Sequence, residues 1–258
     1  MRSLRKLIGA DFGFKKFVIW SCIGLYIITL LLTYALPLLL NDVAVPRGRG
    51  IADLFSPNSA VLYILGATGA IPVFEEGRWW TVLSAGYLHG GFFHIAFNLV
   101  WLNHLAPSVS KYYGAARLTI IYTVSIIVGA AMSSWAGYHL TFLPDILQGA
   151  RLSIGASGGV FGLFGALVSY GQITKKRGIT EQALAFAAVG FVFGFFMGRT
   201  DNWGHLGGFL GGYFITQTPW FNPQTSQKLH DFGTALLCYV FAILSIGLSA
   251  LHLYFLVT

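Results

Sequence analysis

The charged residues of this chain are spaced so that few folds remain open to it. Between successive Asp, Glu, Lys and Arg residues lie long uncharged stretches, at 17–41, 79–110, 118–144, 152–174, 182–198, 202–227 and 232–258. Each can hold a helix of roughly 17–25 apolar residues, the length that crosses a hydrocarbon core about 30 Å thick. Only 10% of the residues are charged and 55% are hydrophobic, against about 25% charged in an ordinary soluble domain, so too little polar surface exists to face water. The predicted fold is an all-α integral membrane protein with seven transmembrane helices.

An eighth uncharged stretch, 54–74, would reverse the orientation of everything after it if it also crossed. Its densest part is only AVLYILGA, with Pro57 and Asn58 before it and Gly69 and Pro72 after it, which predicts an interfacial or re-entrant piece. The basic residues agree with seven spans. With a cytoplasmic N-terminus, Arg2, Arg5, Lys6, Lys15, Lys16, Lys111, Arg117, Lys175, Lys176, Arg177 and Lys228 fall inside, and Arg47, Arg49, Arg78, Arg151 and Arg199 fall outside. That follows the positive-inside rule. The net charge of +7 therefore reports topology, and nucleic acid is not an expected partner.

The start MRSLRKL resembles a signal peptide, but the apolar run that follows is too long for a cleavable h-region of about 7–15 residues, so a retained first span is expected. Cys22 and Cys238 lie inside the first and last spans and are expected to fill space. The expected organisation is a basic cytoplasmic segment at 1–16, a six-helix core at 17–220, a cytoplasmic linker at 221–231 and a seventh helix at 232–258. Most connections are short, which makes neighbouring spans antiparallel in a compact bundle. The exception is a long outside loop at about 41–92, where Trp79 and Trp80 suggest a surface-lying segment.

All nine acidic residues fall in loops or tails between the spans, which removes a carboxylate relay, a paired-aspartate hydrolase and a zinc-type H-E-x-x-H helix. Polar chemistry inside the membrane must come from Ser, His and Asn. The second span carries His89, His94 and Asn98, the last two sharing a helix face; the fourth begins with Ser157; the sixth carries His205. With seven spans, Ser157, His205 and His94 all lie near the outer end of their helices, at matching depth. Gly204, Gly208 and Gly212 recur every fourth residue in the sixth span, as Gly158 and Gly162 do in the fourth, and such ridges let helices approach closely. The literal string Gly155-x-Ser157-x-Gly159 also matches a nucleophile elbow, but no strand precedes it, so that match is treated as accidental. Gly155 and its neighbours delay the helix, so that Ser157 sits at its N-terminus beside free backbone N–H groups.

These residues together resemble the rhomboid family of intramembrane serine proteases. HGGFFHIAFN is similar to its H-x-x-x-N helix, GASG to its nucleophile motif and GHLGGFLGG to its histidine helix, in the family's order. The long first outside loop and a C-terminal seventh span match its six-plus-one variant. The resemblance implies a nucleophile at Ser157, a general base at His205, and an oxyanion hole of His94, Asn98 and the Ser157 backbone N–H. His89, Gly155, Gly158, Gly204 and Gly208 are expected to support them. It further implies cleavage of single-span transmembrane proteins near the outer face, with the lipid bilayer as surroundings, no cofactor and no metal. One departure stands out: Thr81 follows Trp80 where the family commonly carries Arg, with Arg78 nearby as a substitute. The alternative is an inactive relative that binds transmembrane helices without cutting them. A His and Asn transport pathway and a metal site at His89, His94 and His205 fit less well. His104, His139, His252 and His230 are assigned to packing, interfacial or loop positions, and the fifth span, with FVFGFFMG, is the expected gate. The expected location is the cell membrane of a prokaryote, with the N-terminus in the cytoplasm.

Overall fold

The computed structural model describes residues 11, 13–40, 54–196 and 200–257. Most of the basic N-terminal segment, the part of the first loop that carries Arg47 and Arg49, and Arg199 lie outside the described residues. The chain runs through helix α1 (Phe14–Leu40), a short α2 (Ser59–Ile64), a π turn at Ile71–Glu75, α3 (Thr81–Ser84) and a 3-10 turn at Ala85–Tyr87. Then follow α4 (Phe92–Tyr113), α5 (Ala115–His139), α6 (Ser157–Ile173), α7 (Arg177–Phe196), α8 (Asn202–Gln217) and α9 (Leu229–Val257). Strands are absent among the described residues; one isolated antiparallel bridge joins Thr68 to Ser153.

Among the described residues, the helices of 16 residues or more overlap the uncharged stretches, with charged residues near their ends. Three of them, at Phe14–Ala35, Ala115–His139 and Leu229–His252, are long and apolar enough on length and composition alone to cross a membrane. The charges set the breaks between helices. Lys111 lies in the last turn of α4, and Gly114, at φ +95°, turns the chain straight into α5.

At the centre lies α6, buried without interruption from Gly159 to Gly171, as expected of a helix that is apolar all round. It packs against α8 and α5, and glycine allows the approach. A Cβ on Gly208 would fall on the carbonyl oxygen of Gly158, and one on Gly212 on that of Gly162. On the other side of α8, a Cβ on Gly207 would lie 2.9 Å from the Gly129 Cα in α5. Aromatic and branched side chains such as Trp20, Leu31, Phe93, Phe97, Val189 and Phe241 point outward instead, the arrangement a surrounding lipid phase favours.

The first loop is built onto this core. Asn58 caps α2, its side chain accepting the Ala60 N–H at 2.8 Å. Residues 68–71 then run beside residues 150–153, with hydrogen bonds from the Thr68 N–H to the Ser153 carbonyl (2.9 Å), from the Ser153 N–H to the Thr68 carbonyl (2.7 Å) and from the Ala70 N–H to the Ala150 carbonyl (3.0 Å). The connection leading to α6 is thereby fastened before the helix starts.

Candidate active site

Ser157 is the first residue of α6 and is half-buried. Ahead of it Gly155 adopts φ +123° and donates its N–H to the Ala85 carbonyl at 2.9 Å. That left-handed turn ends the fastened strap and starts the helix abruptly, so the N–H groups of the first turn have no partner within the helix.

His205 lies in the first turns of α8 and is 7% exposed. Its ring is stacked on Phe161, centroids 4.1 Å apart and planes 11° from parallel. Phe161 is four residues after Ser157 in the same helix, so the imidazole rests on the face of α6 that begins with the serine. Ser157 and His205 are not hydrogen-bonded to each other among the described residues, and His205 Nδ1 has no hydrogen-bond partner there.

His94 approaches from α4. A methyl group on Gly155 would lie 2.7 Å from His94 Nε2 and 3.8 Å from Ser157 Oγ, so ring and hydroxyl flank one point. His94 Nδ1 accepts the Gly90 N–H over a long 3.4 Å, which leaves the proton of the neutral ring on Nε2, the side facing Gly155. Asn98 is 3% exposed and one turn further along; its side-chain amide donates one hydrogen to the His94 carbonyl at 3.0 Å, leaving the second free.

His89 departs from the expected position. It precedes α4, which starts at Phe92, and is fully buried in the connection from the 3-10 turn. Its ring lies 5.1 Å from that of His94, edge to face. Among the described residues no three His, Cys, Asp or Glu side chains gather as metal ligands would.

A small cavity opens beside Ser157, lined among others by Thr68, Ser153, Gly155, Asp201 and Gly204. It leaves about 30 Å³ for the centres of water molecules, against the 10–15 Å³ or so that one water needs. Asp201, Ser153 and Phe161 are the residues that the sequence reading missed. Asp201 had a legible signal, since an Asp just ahead of an apolar helix is a capping residue; the other two had none.

A model of the rhomboid domain matches residues 76–220, more than half of the chain and all of the residues just described from His89 to His205. The chain belongs to the rhomboid family. It is similar to rhomboid protease GluP of Bacillus subtilis, 32% identical over 78% of this chain and 36% of that protein. RHOMBOID-like protein 5 of Arabidopsis thaliana is 33% identical over 66% of this chain and 53% of its own length. Rhomboid-like protease 3 of Toxoplasma gondii is 27% identical over 74% of this chain and 72% of its own. The chain thus spans about a third of the first relative and half of the second. Family and apolar helices together make it an integral membrane protein. Relatives from a bacterium, a plant and Toxoplasma gondii do not by themselves carry the prokaryotic location expected from the sequence.

The first loop of this rhomboid is held by Arg78. The guanidinium, 3% exposed, donates to the Tyr63 carbonyl at 3.0 Å and the Ile64 carbonyl at 3.4 Å, which are end-of-helix acceptors of α2, and lies 4.8 Å over the Tyr63 ring. Tyr63 in turn donates to the Glu76 carboxylate; partial burial first, and this carboxylate second, raise its phenol above the usual value. Thr81 is fully buried, its hydroxyl donating to the Arg78 carbonyl at 2.7 Å.

Proposed function

We propose that this rhomboid is an intramembrane serine endopeptidase that cleaves single-span transmembrane proteins near the outer membrane face. The observation that carries the reading is the seat of His205, flat on Phe161 and one turn along the helix face that Ser157 heads. In the proposed reaction Ser157 Oγ attacks the scissile carbonyl as His205 takes its proton. The C–O bond forms, and the oxyanion of the tetrahedral intermediate meets His94 Nε2–H, the second Asn98 amide hydrogen and the Ser157 N–H. His205 then returns the proton to the leaving amine as the C–N bond breaks, and water releases the acyl group by the reverse sequence. One such oxyanion donor is worth roughly 10²–10³ in turnover.

Helix length supports a site below the membrane surface. At about 1.5 Å per residue, a 17-residue α6 rises roughly 25 Å, short of a hydrocarbon core about 30 Å thick. Its start lies inside the membrane when its other end reaches the opposite surface. The cavity beside Ser157 gives water a place at that depth. This reading includes seven spans with the N-terminus in the cytoplasm.

The missing Ser157 to His205 hydrogen bond favours the rival reading, an inactive rhomboid that only binds helices. Catalytic hydrogen bonds are often long before substrate arrives, and both groups are present on one face. Purified protein in detergent, given a single-span substrate with an unstable helix, is expected to cleave it and to react with a serine-directed fluorophosphonate. Ser157→Ala is expected to lose both; equal cleavage by that variant overturns the assignment.

A further inference from the structure

The carboxylate of Asp201 ties together the two segments that carry the reactive pair. One oxygen, Oδ1, accepts the Gly204 N–H at 2.8 Å and so caps α8. The other, Oδ2, accepts the Ser153 hydroxyl at 2.6 Å, a short charge-assisted bond across 48 residues of sequence. A helix cap needs only the first of these.

Spacing gives the second bond its meaning. Ser153 is four residues before Ser157, and Asp201 is four before His205, whose own N–H bonds to the Asp201 carbonyl at 3.0 Å. Ser153 is a fixed post, because its N–H and carbonyl are both taken by Thr68. Anchoring Asp201 to it therefore fixes where α8 begins relative to where α6 begins. Gly204 leaves the room required: a Cβ there would lie 2.8 Å from Oδ2. Asp201 makes no hydrogen bond to the imidazole: its oxygens accept from Gly204 and Ser153, and His205 Nδ1 has no partner among the described residues.

We infer that Asp201 is a positioning residue for the proposed dyad, setting the reach between Ser157 and His205 through Ser153 and the start of α8. The inference rests on the proteolytic reading and adds a residue that the family-like motifs do not contain. Its action is geometric, so an uncharged side chain of the same shape should serve.

The test uses full-length protein in detergent, with kcat and KM on a single-span substrate, the rate of fluorophosphonate labelling and the thermal midpoint measured for each variant. Asp201→Ala is expected to lower kcat and labelling about 10–100-fold, the scale of a displacement near 1 Å, with KM unchanged. Asp201→Asn keeps an oxygen for the Gly204 N–H and an amide that pairs with the Ser153 hydroxyl, and is expected to restore most of the activity. Ser153→Ala is expected to lower kcat by itself and to add nothing in the Asp201→Ala background. Wild-type kcat in Asp201→Ala overturns the inference, as does an Asp201→Asn variant as slow as Asp201→Ala, because charge would then matter. Should Asp201→Ala fail to fold, Ser153→Ala decides, and wild-type turnover there overturns the tie. A wild-type protein that neither cleaves nor labels at Ser157 removes the proteolytic reading itself, whereas an active one indifferent to Asp201 and Ser153 removes only this inference.

Discussion

Gly155 shows how much of the site depends on a single missing carbon. Its φ of +123° is closed to other residues without strain, and a Cβ would meet His94 Nε2 at 2.7 Å. Gly155→Ala is therefore expected to be active at no more than about one hundredth of the wild-type rate, since the displaced ring or strap shifts a reactive group by about 1 Å. Turnover of a single-span substrate checks it, with a folded thermal transition as control. Arg78 offers a second case. Arg78→Ala takes this donor from the Ile64 carbonyl and leaves the Tyr63 carbonyl with the Gly66 N–H, at about 1–3 kcal/mol, read as a lower thermal midpoint. Arg78→Lys is expected to recover only part, because an ammonium can donate to both carbonyls as the single Nη2 does but lacks the plane that lies over Tyr63. Individual residues were legible where chemistry restricts the choice: Ser157, His94 and His205 stood out as polar groups in apolar runs. Ser153 did not, because its importance lies in a partner 48 positions away, and no local pattern records that.

At the scale of elements, helix class and approximate bounds were readable because charge cannot be left in hydrocarbon, and α6 and α8 were readable as close neighbours because their glycines recur every fourth residue. What could not be read was the exact pairing, Gly158 with Gly208 and Gly162 with Gly212, since either ridge can slide by one turn. His89 was misplaced for a related reason: an uncharged run does not say where within it the helix begins, and α4 starts three residues later. The pairing makes a sharp expectation. Gly208→Ala puts a carbon on the Gly158 carbonyl and is expected to cost about 1–3 kcal/mol as the helices part, with loss of cleavage. Gly247 in α9 has open space where its Cβ would lie, so Gly247→Ala is expected to be neutral or to gain up to about 1 kcal/mol from helix propensity. Thermal unfolding of the two variants side by side checks the contrast; equal effects would remove the case for backbone contact.

For the whole molecule the question is how the last helix is held and whether it reaches the site. In sequence this helix is an apolar, nearly featureless run after a six-helix core, with no local sign of its attachments. Arg117, at the start of α5 and 1% exposed, donates from Nε to Asp231 Oδ2 at 3.2 Å, and its other nitrogens bond to the carbonyls of Asn222, Thr225 and Ser226. Asp231, fully buried in the first turn of α9, also accepts from Trp220 Nε1 at 2.6 Å and from the Lys228 N–H at 2.8 Å. At the far end Ser249 meets Ser84 at 3.3 Å, next to the Ala85 carbonyl that holds Gly155. Removing one partner of a buried pair strands the other, so Asp231→Ala and Arg117→Ala are each expected to cost about 3–5 kcal/mol, and the double variant less than the two combined. Because Ser249, Ser84, Ala85 and Gly155 form one line of contact to Ser157, loosening α9 is also expected to slow labelling of Ser157 by fluorophosphonate at temperatures where the core remains folded. Unfolding midpoints and labelling rates, measured on the same samples, check both parts. A large loss of stability with an unchanged labelling rate would make the last helix a brace for the bundle with no hold on its reactive end.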